Sequence, residues 1–325
     1  MKWKVVLSLL VTSLAVGQTV HFPNLKWKEK DLDHFTIQTK GTGTDPARKY
    51  SEKIYEVMLE ILPGLERDFE KNEFRTPGGQ EAGKEDRFRF TIYLVENGHD
   101  FHNCVMIDAN RHNWRNGNVQ ITKQVGNYLD SMNRYLVICK SDPEQSGGGR
   151  EKDRKEILVH NLGTALMKSR PRQANLPFWM TAGMGYYAEH MLFDRCSIYY
   201  LDFEAYYREN PNAEVDARKG GTLGPQESWP RILRKLCKDD KRVSLEKTLG
   251  AQIITLSPNE TGYIFALNYF MVSTDERRKK YQEFITSIRG NAKPTKDLLL
   301  KTMGYGDDAS FEKDWYDWMM SSKFK

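Results

Sequence analysis

Apolar residues recur three and four apart along several stretches, and these stretches set out the longest helices. Ile157, Leu158, Leu162, Ala165 and Leu166 form one such stripe, the spacing of a helix face turned to a core. Beside it runs a polar seam of Asp153, Glu156, His160 and Thr164, aligned because residues three or four apart are neighbours on a helix. A second helix opens at Pro177, a residue suited to a first helical turn. Residues 178–192 are apolar on nearly every side, so this helix is expected to be buried. Upstream, Tyr50, Ile54, Val57, Met58, Ile61, Leu65 and Phe69 give another long stripe, starting at Asp45-Pro46.

Strand patterns are fewer. Residues 34–39 alternate with period two, and 87–95 and 134–140 are rich in β-branched and aromatic residues. Residues 21–33 read as an extended lead-in. Asn116-Gly117 is a hairpin-turn signal, with 118–122 as its second strand. The glycine-rich stretch 141–150 reads as a loop leading into the first helix. Beyond residue 191 the patterns are helical, at 229–238, 243–249, 261–290, 296–303 and 311–320, with Trp315 and Trp318 on one face. Tyr199, Tyr200, Phe203, Tyr206 and Tyr207 form an aromatic cluster that reads as helical core or as a stacking surface. The order predicts an α+β chain, with a sheet subdomain over 18–150 and an all-helical carboxyl half over 151–325.

Composition adds an address. Lys2 and Lys4 precede an apolar run over 5–16, and Ala15-Val16-Gly17 is a small-x-small cleavage signal. Residues 1–17 therefore read as a signal peptide, and the chain as secreted or periplasmic. The run is too short for a confident membrane span. With 29% charged and 39% hydrophobic residues, the remainder is globular in character. The net charge of +5 loses two positive charges with the leader, too little to imply a nucleic-acid partner. Arg277-Arg278-Lys279-Lys280 reads as a solvated helix face. Cys104, Cys139, Cys196 and Cys237 permit two disulfides in an exported chain. The pairs Cys104–Cys139 and Cys196–Cys237 each close a local loop; four buried thiols is the other reading. Asn259-Glu260-Thr261 fits a glycosylation sequon.

The candidate chemistry sits on the two helices around residue 170. His160-Asn161-Leu162-Gly163-Thr164 is followed by Pro177-Phe178-Trp179-Met180-Thr181-Ala182-Gly183 and by Tyr186 and Tyr187. This pair resembles the core of the gluzincin metallopeptidases of the peptidase MA superfamily, and a group of secreted bacterial peptidase-like proteins within it. In that family a His-Glu-x-x-His helix binds zinc and supplies a general base, and a Trp-x-x-Glu-Gly helix supplies the third ligand. Here Pro177, Trp179 and Gly183 match the scaffold, and of the chemistry residues His160 alone remains. Asn161 stands at the base, Thr164 at the second His and Ala182 at the third ligand. A catalytic zinc site needs about three protein ligands and an open position, so the resemblance implies a zincin-like fold without zinc. It implies a small mixed sheet over the active-site helix, with 134–140 as the edge that pairs with bound peptide. The reading that follows is a non-catalytic, peptidase-like protein binding a peptide or protein in the former cleft. Glu156, His160, Trp179, Tyr186, Tyr135 and Val137 would line that cleft.

An active metal-dependent hydrolase or peptidase with a migrated or non-standard site is the alternative, drawing on Glu156, His160, Glu189 and His190. No Gly-x-Ser-x-Gly elbow supports serine catalysis. His99, His102 and His112, with Asp100 and Asp108, match no ligand spacing and read as loop histidines.

Overall fold

Six consecutive buried residues, FTIYLV, make the strand Phe90–Val95 (β3) the centre of the sheet. It lies between Phe35–Thr39 (β2) and Tyr135–Cys139 (β5), both parallel to it. Lys28–Asp31 (β1) and Asn127–Leu129 (β4) close the two sides as antiparallel strands, giving the order β1-β2-β3-β5-β4. Every residue of β2 and β3 is buried, so both faces of the sheet are covered, as parallel strands require. The computed structural model describes residues 27–39, 45–70, 89–95, 98–111, 127–129, 135–139, 151–168, 176–197, 207–210, 212, 223, 228–253, 256–289 and 292–325. The fold is mixed α/β and mostly helical, with one small sheet. One expectation is corrected: the strand over 134–140 is interior, because β4 pairs along its outer side.

The long stripe that begins at Asp45 forms two helices, Asp45–Leu59 (α1) and Leu65–Glu70 (α2). The break falls at Pro63-Gly64, where Gly64 takes a φ of +73°, a conformation open to glycine and strained for other residues. Gly98–Arg111 (α3) is a helix where the sequence suggested loop. Glu151–Lys168 (α4) and Phe178–Phe193 (α5) pack along each other, α1 lies against both β2 and α4, and α4 reaches β4 and β5.

The carboxyl half is helical throughout its described residues. Trp229–Lys238 (α6), Leu245–Leu249 (α7), Pro258–Val272 (α8), Asp275–Ile288 (α9), Lys296–Met303 (α10) and Asp308–Met320 (α11) follow in turn. Helix α8 is buried at nearly every position and starts with a capping box between Ser257 and Glu260. The stripe expected over 261–290 is interrupted at Ser273-Thr274, where the Thr274 side chain accepts a hydrogen bond from Arg277 N and caps α9. One core cluster runs from Phe35 to Phe324. The sheet side is tied to the helical side by Asp68, at 0% exposure, whose Oδ1 accepts from Arg289 Nη2 at 2.9 Å.

Three further sequence readings change or sharpen here. Cys104, Cys196 and Cys237 are buried free thiols, so neither Cys104–Cys139 nor Cys196–Cys237 forms. The thiols have other neighbours: Cys196 Sγ donates to Tyr186 O at 3.3 Å, and Cys237 Sγ lies 3.5 Å from Tyr263 Oη. Burial and nearby Asp100 push the Cys104 thiol up to about 12. The sequon is engaged in structure: Asn259 Oδ1 accepts from Leu223 N at 3.1 Å, and Thr261 is fully buried. The basic cluster is paired at the surface, Arg277 with Asp314, Arg278 with Asp275 and Glu60, and Lys280 with Glu276. Among the described residues no helix is long and apolar enough to cross a membrane. The signal peptide, the Asn116-Gly117 hairpin, His112, the loop 141–150 and most of the aromatic cluster lie outside the described residues.

Candidate functional site

The α4–α5 pair is built on two glycines. A Cβ at Gly185 would stand 2.6 Å from both His160 O and Thr164 Oγ1, and one at Gly163 would stand 2.9 Å from Ala188 Cβ. Side chains at these two positions would force the helices apart, so glycine sets their close approach. Thr164 Oγ1 donates to Thr181 O at 3.2 Å across the seam. Residues 182, 185 and 189 recur at helical spacing, which places Ala182 on the face of α5 that carries Gly185 and Glu189.

Further along the seam, Glu156, His160 and Glu189 come together with the segment that follows α5. His160 is 1% exposed and its Nδ1 lies 3.8 Å from Glu189 Oε2. Its ring packs on Tyr186 with centroids 4.4 Å apart. Burial pushes the imidazole down to about 3, so it is neutral at ordinary pH and its contact with Glu189 is not an ion pair. Glu189 Oε1 accepts from Ser197 N at 2.8 Å, and Glu156 Oε2 accepts from Ser197 Oγ at 3.1 Å. Glu156 Oε1 accepts from both Arg195 Nε and Arg195 Nη2. Cys196 lies between the two carboxylates, and its thiol is raised well above its usual range by burial first and by Glu189 and Glu156 second. Asp194, in the left-handed region at φ 56°, caps α5 and turns the chain back, which carries Arg195, Cys196 and Ser197 to the seam.

This arrangement fastens the chain that follows α5 to the seam. Glu156, His160 and Glu189 are 2%, 1% and 0% exposed, and each carboxylate holds down the Arg195–Ser197 segment. Glu156 meets the requirement that buried charge be paired and hydrogen-bonded, through the Arg195 guanidinium and the Ser197 hydroxyl, and Glu189 Oε1 takes the Ser197 backbone amide. The positions that carry zinc in the resembling family do not fit the ion. His160 is the sole ligand type among them, and Asn161, Thr164 and Ala182 offer no anionic or imidazole donor. Among the described residues no three His, Cys, Asp or Glu side chains are grouped to hold a metal.

The other predicted site residues disperse. His190, next to Glu189, faces away: its ring is 5.1 Å from Phe265 and 5.4 Å from Tyr269. A step of one residue turns about 100° around a helix, which separates it from the seam. Trp179, expected in a cleft, is 2% exposed and stacks on Phe284 of α9 at 6.5 Å. Tyr186 joins His160 to Trp229, and the Tyr186 and Trp229 rings are 4.9 Å apart. Tyr135 and Val137 lie on β5, and their side chains fall outside the described residues. On α3, His99 Nδ1 is 3.2 Å from Asn103 Nδ2 and Asp100 is buried. Arg195, Cys196 and Ser197 were not anticipated as one group. A lone arginine immediately after a long apolar helix was the available signal. Asn268 was also missed: its Nδ2 donates to Trp179 O and Ile264 O, each at 2.9 Å. A Cβ at Gly183 would stand 1.9 Å from that nitrogen, which gives the Trp179–Gly183 spacing a packing reason. No protein-family model and no curated protein matches the chain.

Proposed function

We propose that the chain is an exported, non-catalytic protein of zincin-like architecture that binds an extended peptide or protein segment along its sheet. The observation that supports this reading is the chemistry of the seam: His160 stands with Asn161, Thr164 and Ala182 at the family's ligand and base positions, and the neighbouring Glu156 and Glu189 are engaged by Arg195 and Ser197. The order of strand, helix and strand ahead of α4, and the small mixed sheet against it, support the architecture. The binding edge in this proposal is β4. Among the described residues it pairs with β5 alone, so its outer backbone groups can accept an added strand.

The test has a catalytic and a binding arm. Purified protein, equilibrated with zinc and then dialysed, is analysed for metal and assayed on casein with and without chelator. Retained stoichiometric zinc, or cleavage that a chelator stops, would sink the non-catalytic reading. In the binding arm, amide exchange at residues 127–129 is followed against a library of extended peptides. Slowed exchange at these amides is expected for the peptides that bind, and unchanged exchange across the library removes β4 as the site.

A second reading, a hydrolase with a non-standard centre, draws on the convergence of Glu156, His160 and Glu189. Metal-dependent cleavage that both a chelator and His160→Gln abolish would select it.

A further inference from the structure

Away from the α4 seam, the last residues described form a short extended segment with one buried anchor. The cap of α11, Ser321, is extended at ψ 166°. Ser322, Lys323 and Lys325 are exposed, while Phe324 between them is 0% exposed. Its ring is 4.8 Å from Trp318, 5.9 Å from Tyr269 and 6.0 Å from Phe265. Helix α6 grips the main chain there: Arg234 Nη1 donates to Phe324 O at 2.8 Å. An aromatic anchor in a ring-lined pocket, with a side chain bonded to its carbonyl and exposed residues on either side, is how extended peptides are recognised by folded domains.

We propose that the Phe265–Tyr269–Trp318 pocket is a recognition site for an extended peptide carrying Phe next to Lys, and that Phe324–Lys325 of the same chain is its displaceable occupant. The aromatic rings select the Phe side chain, and Arg234 holds the main-chain carbonyl beside it. A tethered occupant is present at millimolar effective concentration, so the site is masked until the segment is released or outcompeted. This site is built from α6, α8 and α11, so it is distinct from the β4 edge and does not depend on it.

A labelled synthetic peptide, Ser-Ser-Lys-Phe-Lys, is titrated into the full chain and into its Phe324→Ala variant, with Ser-Ser-Lys-Ala-Lys as the control. Binding to the variant at least about tenfold tighter than to the unaltered chain is expected, because the tethered competitor has lost its anchor. The control peptide should not bind. Equal binding to both proteins, or equal binding of both peptides, overturns the proposal. A Phe324→Ala chain that loses its far-ultraviolet circular dichroism makes Phe324 a core residue, and overturns it as well. An independent readout is trypsin cleavage after Lys323 in the full chain: Arg234→Ala should speed it several-fold, and an unchanged rate counts against the grip.

Discussion

The two sides of α5 meet their neighbours through the same device and with different chemistry. Toward α4, Gly185 leaves room for His160 O and Thr164 Oγ1; toward α8, Gly183 leaves room for the amide of Asn268. In both places a missing side chain lets a polar atom rest against the helix. On the α8 side that polar group is neutral and well satisfied: Asn268 donates to two carbonyls and accepts from Tyr281 Oη at 3.3 Å. On the α4 side the neighbours are ionisable, with Glu156 and Glu189 stabilised by Arg195 and Ser197 and a neutral His160 beside them. The Gly183–Asn268 contact should therefore respond to packing alone, and the Gly185 seam to packing and to pH.

The largest effect is expected from Gly185→Ala. Alanine is favoured over glycine in a helix by about 1 kcal/mol. Here its methyl would meet a carbonyl of the facing helix, which has no flexible end to move. A net loss of about 3 kcal/mol is expected for such overpacking, read as a lowered urea midpoint; an unchanged midpoint would mean the helices are further apart than described. Gly183→Ala should cost somewhat less, about 2 kcal/mol, because the Asn268 side chain can give way at the expense of its hydrogen bonds. In an Asn268→Ala background the same change should be neutral or mildly stabilising. Additive losses in that double-mutant cycle would separate Gly183 from Asn268.

The smallest effect per step concerns acid. His160 is pushed down from 6.5 to about 3 by burial, so between these values the unfolded chain holds the extra proton. Stability is complete above pH 6.5 and falls as the pH drops toward 3. The slope from this one group is at most about 1.4 kcal/mol per pH unit. His160→Gln should flatten the curve in that window relative to the unaltered chain, and Asn268→Ala should leave its slope alone. Parallel curves for His160→Gln and the unaltered chain would show that the imidazole is not shielded from solvent.

Some of this was readable in the amino acids and some was not. The α4 stripe, the all-round apolar α5 and the strands β2 and β3 follow from local periodicity, and periodicity reports burial directly. The breaks were harder. Leu65 and Phe69 continue the stripe of α1 in register, so Pro63-Gly64 was read through, although it is a strong turn signal. Ser273-Thr274 was passed over in the same way, although an acidic first turn follows it. β4 has three residues, too few to show alternation, and α3 carries His, Asn and Asp in place of a clear apolar face. At the site, the polar seam of Glu156, His160 and Thr164 was visible as a row. Its partners Arg195, Cys196 and Ser197 depend on where the chain turns after Asp194, and no spacing rule encodes that. The cysteines make the same point: an even count says nothing about whether two thiols face each other.

The contact between Asp68 and Arg289 bears on whether the parts of the molecule can part company. Its carboxylate is wholly shielded from water, and its guanidinium comes from the turn that ends α9, on the far side of the shared interior. Removing the guanidinium while the fold stays closed would leave the carboxylate buried without it, a penalty of about 3–5 kcal/mol, which is a large share of the roughly 5–15 kcal/mol that holds a domain together. A single ion pair thus couples the ends of two helices more than two hundred residues apart in the chain.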